Sequence, residues 1–466
     1  MNSARPVAAR PVLPAATAVL TISVLLTACG SSETTAKNPD SPYPDYTATF
    51  LQGPPDQADM EAKPLSKDGH RFWMLPATPQ TTQWGVFDNS IAPALRIDPG
   101  DTVAIQTMPA GGGQVAPGIA EGQIEQINGA VPNRGPHTVT GPIYVNGAEP
   151  GDVLAIRINK IRMSSFATNN TAKGKGLFRD EFPDQVRSYY LDTEKMQLRF
   201  APNVIVPLEP FPGVLSVGRS DTTSAWCTDG KCSTEQPGPW GGNMDLPAMQ
   251  VGSITYLPVQ VKGGLIWTGD SHAKQGNGEI DLDALETAYP ELNITVDVIK
   301  SQPQEWPTVE TPTGWVAVGY DEDLDKALDI NTDQAVKLIM AKRQVPEADA
   351  KAVLDKTWDC RISQVVDEVL GTYCVIPKDT AAPRAANLPT ADTADAWVST
   401  GTAPKALDAM KIAASAALDT MAANLDMTRN DAYHLATMVL DCRIDRWSAG
   451  DKTVACSVPK SIRVPQ

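Results

Sequence analysis

The strongest constraint on the fold of this 466-residue chain is a repeat near its C-terminal end. The segment Asp-Cys-Arg-Ile occurs at 359–362 and again at 441–444, a spacing of 82 residues. The same spacing relates Trp315-Val316 to Trp397-Val398, Asp349-Ala350 to Asp431-Ala432, and Pro377-Lys378 to Pro459-Lys460. A register without gaps predicts two copies of one module, each a strand, two helices and a disulfide-linked strand pair. Stacking the copies would bury the apolar face of each.

Seven cysteines are present, and setting Cys29 aside leaves six that form three short-range pairs. The pairs are Cys227 with Cys232, Cys360 with Cys374, and Cys442 with Cys456. Together with an export signal, this pattern predicts disulfides and an oxidising compartment. Reduced cysteines buried in strands are the alternative. If all six are bonded, no thiol of the folded body is free to act as a nucleophile.

The N-terminus has the pattern of an export signal. Arg5 and Arg10 precede an apolar stretch that ends Leu-Thr-Ala-Cys at 26–29, as in secretory signals. This ending resembles a bacterial lipobox, which implies a signal peptide at 1–28 and lipidation of Cys29; an ordinary signal peptide with a chance cysteine is the alternative. Residues 29–47 are rich in Ser, Thr, Pro and Asp and indicate a tether. We therefore expect an exported, extracytoplasmic protein, anchored to a bacterial membrane by lipid.

The charge balance limits the classes of partner that the chain can bind. The chain has 39 basic and 55 acidic residues, a net charge of −16. Nucleic-acid binding needs a basic footprint, so no nucleic-acid partner is predicted. Membrane contact is expected only through the N-terminal lipid. A homo-oligomer remains open.

Two regions of different composition follow the tether. Residues 48–313 are rich in Gly and Pro between short Val, Ile, Thr and Leu runs, which predicts an all-β region. From residue 314 the chain is Ala-rich and helical, with copy 1 of the module at 314–380 and copy 2 at 381–466. In these copies Arg361 and Arg443 are interpreted as salt-bridged, and His434 as a surface or core histidine.

The segment Gly-Asp-Ser-His-Ala-Lys-Gln-Gly-Asn-Gly-Glu at 269–279 carries the clearest chemical signal. It follows an apolar run at 264–267 that is typical of a buried strand. In an extended backbone, residues i and i+2 face the same side, so Asp270 and His272 can point into one pocket at the strand end. A carboxylate and an imidazole suit a divalent cation such as zinc. The alternative is a polar turn with a hydrogen-bonded histidine.

Several stretches of the β region resemble the acetamidase/formamidase family, in the family's order and over roughly residues 70 to 300. They are Gln-Trp-Gly-Val-Phe-Asp-Asn-Ser at 83–90, the block at 135–152 containing Gly-Pro-Ile-Tyr-Val and Gly-Ala-Glu-Pro-Gly-Asp, Gly-Gly-Asn-Met-Asp at 241–245, Tyr-Leu-Pro-Val-Gln at 256–260, and 269–279. The end of the module at 361–367 and 376–378 is also similar to the family. The duplication of the module is a departure from it.

The resemblance implies a mainly β fold, a β-sandwich plus a small barrel-like domain, with an α/β tail. It also implies hydrolysis of small aliphatic amides, such as formamide or acetamide, to a carboxylate and ammonia. A bound metal is implied in at least some members, here predicted as zinc with calcium as an additional candidate. A non-catalytic surface lipoprotein that uses the same scaffold to bind ligands or partners is the alternative.

Within the family-like segments, we predict roles for individual residues. No Gly-x-Ser-x-Gly elbow is present, so a metal-activated water is the favoured route. The predicted metal ligands are Asp88, His137, Asp270 and His272. Glu149 and Glu279 are the candidates for proton transfer, with Glu149 preferred and a turn role as its alternative. Asn243, Asp245 and Trp84 are predicted to bind the substrate. The alternatives are contact with the metal ligands for Asn243 and Asp245 and core packing for Trp84.

Overall fold

The structure, a computed structural model, describes residues 61–62, 69–120, 122–129, 134–379, 389–445 and 450–465. The predicted signal peptide, Cys29 and the tether lie outside the described residues. Within the described ranges, no helix has both the length and the apolar character needed to cross a membrane.

Strands dominate the described chain up to residue 321. In chain order they are β1 (Glu61–Ala62), β2 (Phe72–Leu75), β3 (Thr82–Trp84), β4 (Val86–Asp88), β5 (Leu95–Ile97), β6 (Thr102–Ile105), β7 (Thr138–Val145), β8 (Val153–Arg162), β9 (Phe166–Thr171), β10 (Gln185–Tyr190), β11 (Gln197–Ala201), β12 (Val204–Pro207), β13 (Phe211–Ser216), β14 (Cys227–Thr228), β15 (Lys231–Ser233), β16 (Gly241–Asn243), β17 (Ile254–Pro258), β18 (Ile266–Lys274), β19 (Leu285–Thr287), β20 (Glu291–Ile299), β21 (Thr308–Glu310) and β22 (Gly314–Asp321). One short helix, α1 (Gln123–Gly129), interrupts them.

The remaining chain has the same element order twice. Copy 1 comprises β22, α2 (Leu324–Arg343), α3 (Glu347–Lys356), β23 (Cys360–Gln364) and β24 (Leu370–Pro377). Copy 2 comprises β25 (Ala396–Ala403), α4 (Ala406–Leu425), α5 (Arg429–Val439), β26 (Asp441–Ile444) and β27 (Lys452–Pro459). The prediction of a mainly β fold with a duplicated C-terminal α/β module is confirmed.

A 13-stranded sheet runs through both regions. Its order is β1–β2–β6–β20–β8–β17–β21–β22–β24–β23–β26–β27–β25. Copy 1 extends the sheet of the β region through the β21–β22 pair, and copy 2 joins copy 1 where β23 and β26 pair antiparallel. The two copies are therefore neighbours in one continuous sheet.

A second sheet of nine strands carries the centre of the β region. Its path is β10–β9–β19–β18–β13–β16, and β7 also pairs with β18 and binds β3 and β5. Residues of β9 and β13 are buried throughout, and β18 is buried except at its last residue. Strands buried on both faces place polar side chains in the interior, where each needs a partner.

In both copies, one glycine allows the first helix to pack closely on the first strand. A Cβ on Gly319 would clash with the backbone of α2 at Ala327, and a Cβ on Gly401 would clash with α4 at Ala409. These glycines are also 82 residues apart, so the repeat includes the packing of helix on sheet. All three predicted disulfides are formed.

Candidate active site

A cavity of about 710 Å³ lies beside the nine-stranded sheet, with walls that include residues of β9, β10, β18 and β19. Its apolar wall includes Pro109, Ala110, Val115, Ile124, Phe166 and Val186. Its acidic and amide-bearing wall includes His137, Glu235, Asn243, Asp270, Glu279, Asp283, Glu286 and Asp367. So many carboxylates in a buried space must be compensated by protons or by a cation.

His272 lies in the middle of β18 and is fully buried. Its Nε2 is 2.9 Å from Asp270 Oδ2, so the structure brings these two residues together. Asp270 has a φ of 48°, an uncommon conformation for a non-glycine residue within a strand and one that occurs frequently at functional sites. The expectation that His272 lies at a strand end is wrong. β18 continues to Lys274 because β13 and β19 pair with it at His272 on both sides.

The hydrogen bond on the other side of the His272 ring determines its tautomer. Nδ1 is 2.8 Å from Gln275 Oε1. The Gln275 amide is oriented by its own donor, which contacts the backbone carbonyls of Asp245 and Ser363 at 3.2 and 3.0 Å. Nδ1 of His272 therefore carries the proton and donates it. Nε2 then faces Asp270 and two further carboxylates, Glu286 at 3.1 Å and Asp245 at 3.6 Å.

His137 repeats this arrangement from the loop that leads into β7. Its Nδ1 is 3.2 Å from the backbone carbonyl of Thr234, which can only accept a hydrogen bond. Its Nε2 points to Asp270, 3.5 Å from Oδ1. Both histidines thus bind an acceptor through Nδ1 and present Nε2 to the same carboxylate. A metal-binding histidine has this outer partner in most metal sites.

Some buried carboxylate oxygens around His272 lack an amide, hydroxyl or cationic donor. Both oxygens of Asp245 and Oε2 of Glu279 are in this position, and only the carboxyl group of Asp367, when protonated, donates to Asp245. Gly213 on β13 lies next to them: a Cβ there would clash with Asp270 Oδ2 and approach His272 Nε2 to 2.6 Å. Glycine at position 213 therefore leaves room for the side-chain atoms of Asp270 and His272 that could bind a cation.

Burial and mutual repulsion shift the protonation of the cluster. Burial raises the pKa of Glu279 well above its usual range, and Asp245 and Asp367 raise it further. Burial and Asp270 raise the pKa of Glu286 to about 7. Burial opposes the charged form of His272, but Glu286 and Asp270 raise its pKa well above the usual value. The cluster therefore holds protons near neutral pH that a cation would displace.

The donor set fits a divalent cation. Two groups of three ligand atoms lie within 4.8 Å of one another. One is Asp245, His272 and Glu279, and the other is Asp270, His272 and Glu286. Because Nε2 of His272 has one lone pair, the two groups compete for a single ion at that nitrogen. Imidazole nitrogen with carboxylate oxygens suits zinc and related ions.

Three predicted residues do not reach this cluster. Asp88 lies on β4 in a separate three-stranded sheet, where Ser90 donates to it and Lys231 is 3.6 Å away. Glu149 lies in an exposed turn and pairs with Lys262 at 3.0 Å. Trp84 is half-buried and is absent from the described cavity wall. Metal binding by Asp88, proton transfer by Glu149 and substrate binding by Trp84 have no support from these positions.

Other residues of the cluster were not predicted. Glu286 lies on β19 directly opposite His272 on β18, a cross-strand pair that no sequence motif marks. Asp367 follows β23 of copy 1, and its Oδ2 accepts a hydrogen bond from Asn243 at 3.0 Å. Asp367 and Gln275 both lie inside segments that resemble the family, so a signal for them was present in the sequence.

Comparison with known proteins agrees with the fold. The acetamidase/formamidase family model matches residues 77–229 and 229–314. A formamidase from Methylophilus methylotrophus is 26% identical over 295 residues, which cover 52% of this chain and 67% of the relative.

Two solved structures are similar over most of their length. An acetamidase from Bacillus halodurans is 25% identical with a TM-score of 0.58, and the match covers 65% of this chain and 97% of that protein. An acetamidase from Yersinia enterocolitica is 28% identical with a TM-score of 0.58, covering 66% and 92%. The family match spans about half of the sequence. This chain therefore belongs to the acetamidase/formamidase family of amidases.

Proposed function

We propose that this chain hydrolyses small carboxamides to a carboxylate and ammonia, with a divalent cation bound around His272. The observation that carries the proposal is the pair of histidines that bind an acceptor through Nδ1 and direct Nε2 to Asp270. The ordinary alternative, a buried ion-pair cluster, leaves Asp245 with only the carboxyl group of Asp367 as a donor and leaves Oε2 of Glu279 with none. A cation would compensate these carboxylates.

The residues that would hold the cation are Asp270 and His272, together with Asp245, Glu286 and His137. When bound, a divalent cation lowers the pKa of a water molecule towards ~7 and polarises a carbonyl oxygen. Zinc fits the mixed nitrogen and oxygen donors best. Calcium, which prefers oxygen donors alone, fits the carboxylates of the same cluster less well because of the imidazole.

The remaining groups suit the organic half of the reaction. Asn243 lies in the cavity wall, where its free Oδ1 can accept from the amide nitrogen of a substrate. Glu279 also faces the cavity, and burial with its acidic neighbours raises its pKa well above the usual value. Glu279 can therefore give its proton to the departing amine, which must leave as ammonia. Glu279 replaces Glu149 as the preferred acid.

The test is ammonia release from formamide, acetamide and propionamide by the purified chain from residue 30, before and after chelation and zinc restoration. We expect release that chelation abolishes and zinc restores. Glu279→Gln should lower kcat by about 100-fold or more, whereas Glu149→Gln should stay within about twofold of wild type because it lies at the surface.

Two results would contradict the proposal. Release that survives complete removal of metal would exclude the cation. No release from any amide by a zinc-loaded chain would favour the alternative, a non-catalytic scaffold that binds a ligand in the same cavity.

We also propose that the protein is exported and lipid-anchored through Cys29. The three disulfides support an oxidising compartment. Cys29→Ala should shift the chain from the membrane fraction to a soluble or unprocessed form. Membrane retention of the variant after washing without detergent would count against lipidation.

A further inference from the structure

Helix α5 of copy 2 differs from its counterpart in copy 1 in what surrounds it. Residues 432–439 of α5 are all buried. In α3, only Ala350 and Leu354 are buried, and the other side chains are exposed or half-buried. One buried stripe suffices to pack a helix on its own module, so the second buried face of α5 must contact something else.

That face lies against the segment that joins Glu279 to Glu286. The Tyr433 hydroxyl donates to the backbone carbonyl of Ile280 at 2.7 Å. The Thr437 hydroxyl donates to the backbone carbonyl of Asp283 at 2.9 Å. Tyr433 and Thr437, one turn apart on α5, thus bind the backbone of the segment between Glu279 and Glu286.

His434, between them, reaches the same segment through Asn169 of β9. Its Nδ1 is 2.5 Å from Asn169 Oδ1. The amide nitrogen of Asn169 in turn donates to the Asp281 and Asp283 carboxylates, at 3.1 and 2.8 Å. Nε2 of His434 lies 3.0 Å from the Gln185 side chain on β10, which is part of the cavity wall.

We propose that α5 of copy 2 positions the segment 279–286, with His434 as the central positioning residue. His434 touches neither the cavity nor any ligand atom, so it acts through Asn169 and the two aspartates. The proposal rests on the proposed function in one respect, that Glu279 and Glu286 belong to the cation site. It assigns a role to the second module copy, which lies outside the family match.

The comparison of the copies shows that this face is specific to copy 2. At the spacing of 82 residues, Tyr433, His434 and Thr437 correspond to Lys351, Ala352 and Asp355. All three copy 1 residues are exposed. The chain therefore offers a matched control at an equivalent helix position with no contact to the site.

The experiment compares wild type, His434→Ala, His434→Asn and the control Ala352→His in the full mature chain. Hydrogen exchange of peptides covering 279–286 measures how well the segment is held in place. Titration with zinc alone measures the affinity of the cation site. Loss of a direct partner of a metal ligand typically weakens metal binding by about 10–100-fold. His434 lies farther from the ligands, so we expect His434→Ala to weaken zinc binding by about tenfold, at the lower end of that range, and to speed exchange to a similar extent. His434→Asn retains a donor near the position of Nδ1 and should recover most of both losses.

A destabilising variant away from the segment separates positioning from general stability. Leu418→Val in the buried face of α4 should lower the melting temperature without changing exchange at 279–286 or zinc affinity. If Leu418→Val has the same effects as His434→Ala, or if His434→Ala changes neither readout, the inference is overturned. If wild type binds no zinc, the proposed function fails, and hydrogen exchange alone then decides the positioning role.

Discussion

The two copies of the C-terminal module have the same elements and share several internal contacts, yet they meet the candidate active-site cavity through different parts. Copy 1 contributes Asp367 from the loop between β23 and β24. Copy 2 contributes Tyr433 and His434 from its second helix, behind the cavity wall. The shared residues maintain each module, whereas the residues that differ determine which face contacts the β region.

The internal contacts show how closely the copies agree. Arg361 binds Asp359 at 2.8 Å, and Arg443 binds the equivalent Asp441 at 2.7 Å, as predicted for salt bridges within the modules. Each copy also has one disulfide between its last two strands. The two copies therefore retain the packing within the module, whereas the residues on their outer surfaces differ.

The largest expected effect tests whether copy 1 takes part in the chemistry. Asp367→Asn should lower kcat/KM by about 100-fold, because it removes a carboxylate from the cavity wall and weakens the contact with Asn243. The neighbouring Glu368→Gln, at an exposed position, is the control and should change little.

The free energy of unfolding should not follow the loss of activity in Asp367→Asn. Burial and Asp245 raise the pKa of Asp367 well above its usual value. A carboxyl group with a raised folded-state pKa destabilises the fold as pH rises above its unfolded pKa. The metal-free Asp367→Asn chain should therefore be at least as stable as wild type at pH 7 in urea unfolding. A clear loss of stability would show that Asp367 is structural.

The disulfides offer a second way to separate the copies. Each closes a loop with a separation of 14 residues, so removal of either should cost about 3 kcal/mol of unfolding free energy. We expect Cys360→Ser with Cys374→Ser to lower activity as well, because β23 leads into the Asp367 loop. Cys442→Ser with Cys456→Ser should lower stability alone. Equal losses of activity would remove the distinction.

The pH dependence of cation binding sharpens the comparison further. Glu286 has a pKa of about 7, and His272 titrates above its usual value, so both must lose protons when a cation binds. Because each released proton contributes up to about tenfold, zinc affinity should rise by up to about 100-fold per pH unit between pH 6 and 7. Calorimetry in two buffers should detect the released protons. Asp367→Asn should keep this slope, and a flat profile in wild type would exclude these ligands.

The smallest expected effect on stability concerns the contact between the two copies, where β23 pairs with β26. Arg443 bridges β26 and β23 through a contact of 3.3 Å with Asp359. Because both side chains are partly exposed, Arg443→Ala should cost less than about 1 kcal/mol. Turnover should be unchanged. A large loss of activity would mean that this contact between the copies affects the residues of the candidate active site.

Much of the architecture could be predicted from local patterns. The constant spacing of 82 residues indicates the repeat, because each copy repeats its own turns, helices and cysteine positions. Pairing of the cysteines by proximity predicts all three disulfides. Asp270 and His272 are two residues apart on one strand, so the alternation of an extended chain predicts that they face the same side. The alternation does not predict the positive φ of 48° that Asp270 adopts there.

The rest depended on contacts between distant strands and could not be predicted locally. His272 is opposite Glu286 because β18 and β19 pair in that register. Asp367 reaches Asn243 across 124 residues because copy 1 extends the main sheet. Asp88 and Glu149 have motifs as specific as that of His137, but their strands and turns direct them elsewhere. The sequence by itself determined the repeat and the disulfides and placed Asp270 and His272 on one strand, since these follow from short-range patterns. Only the tertiary structure decided which carboxylates surround His272, since that depends on strand register and on how the sheets pack.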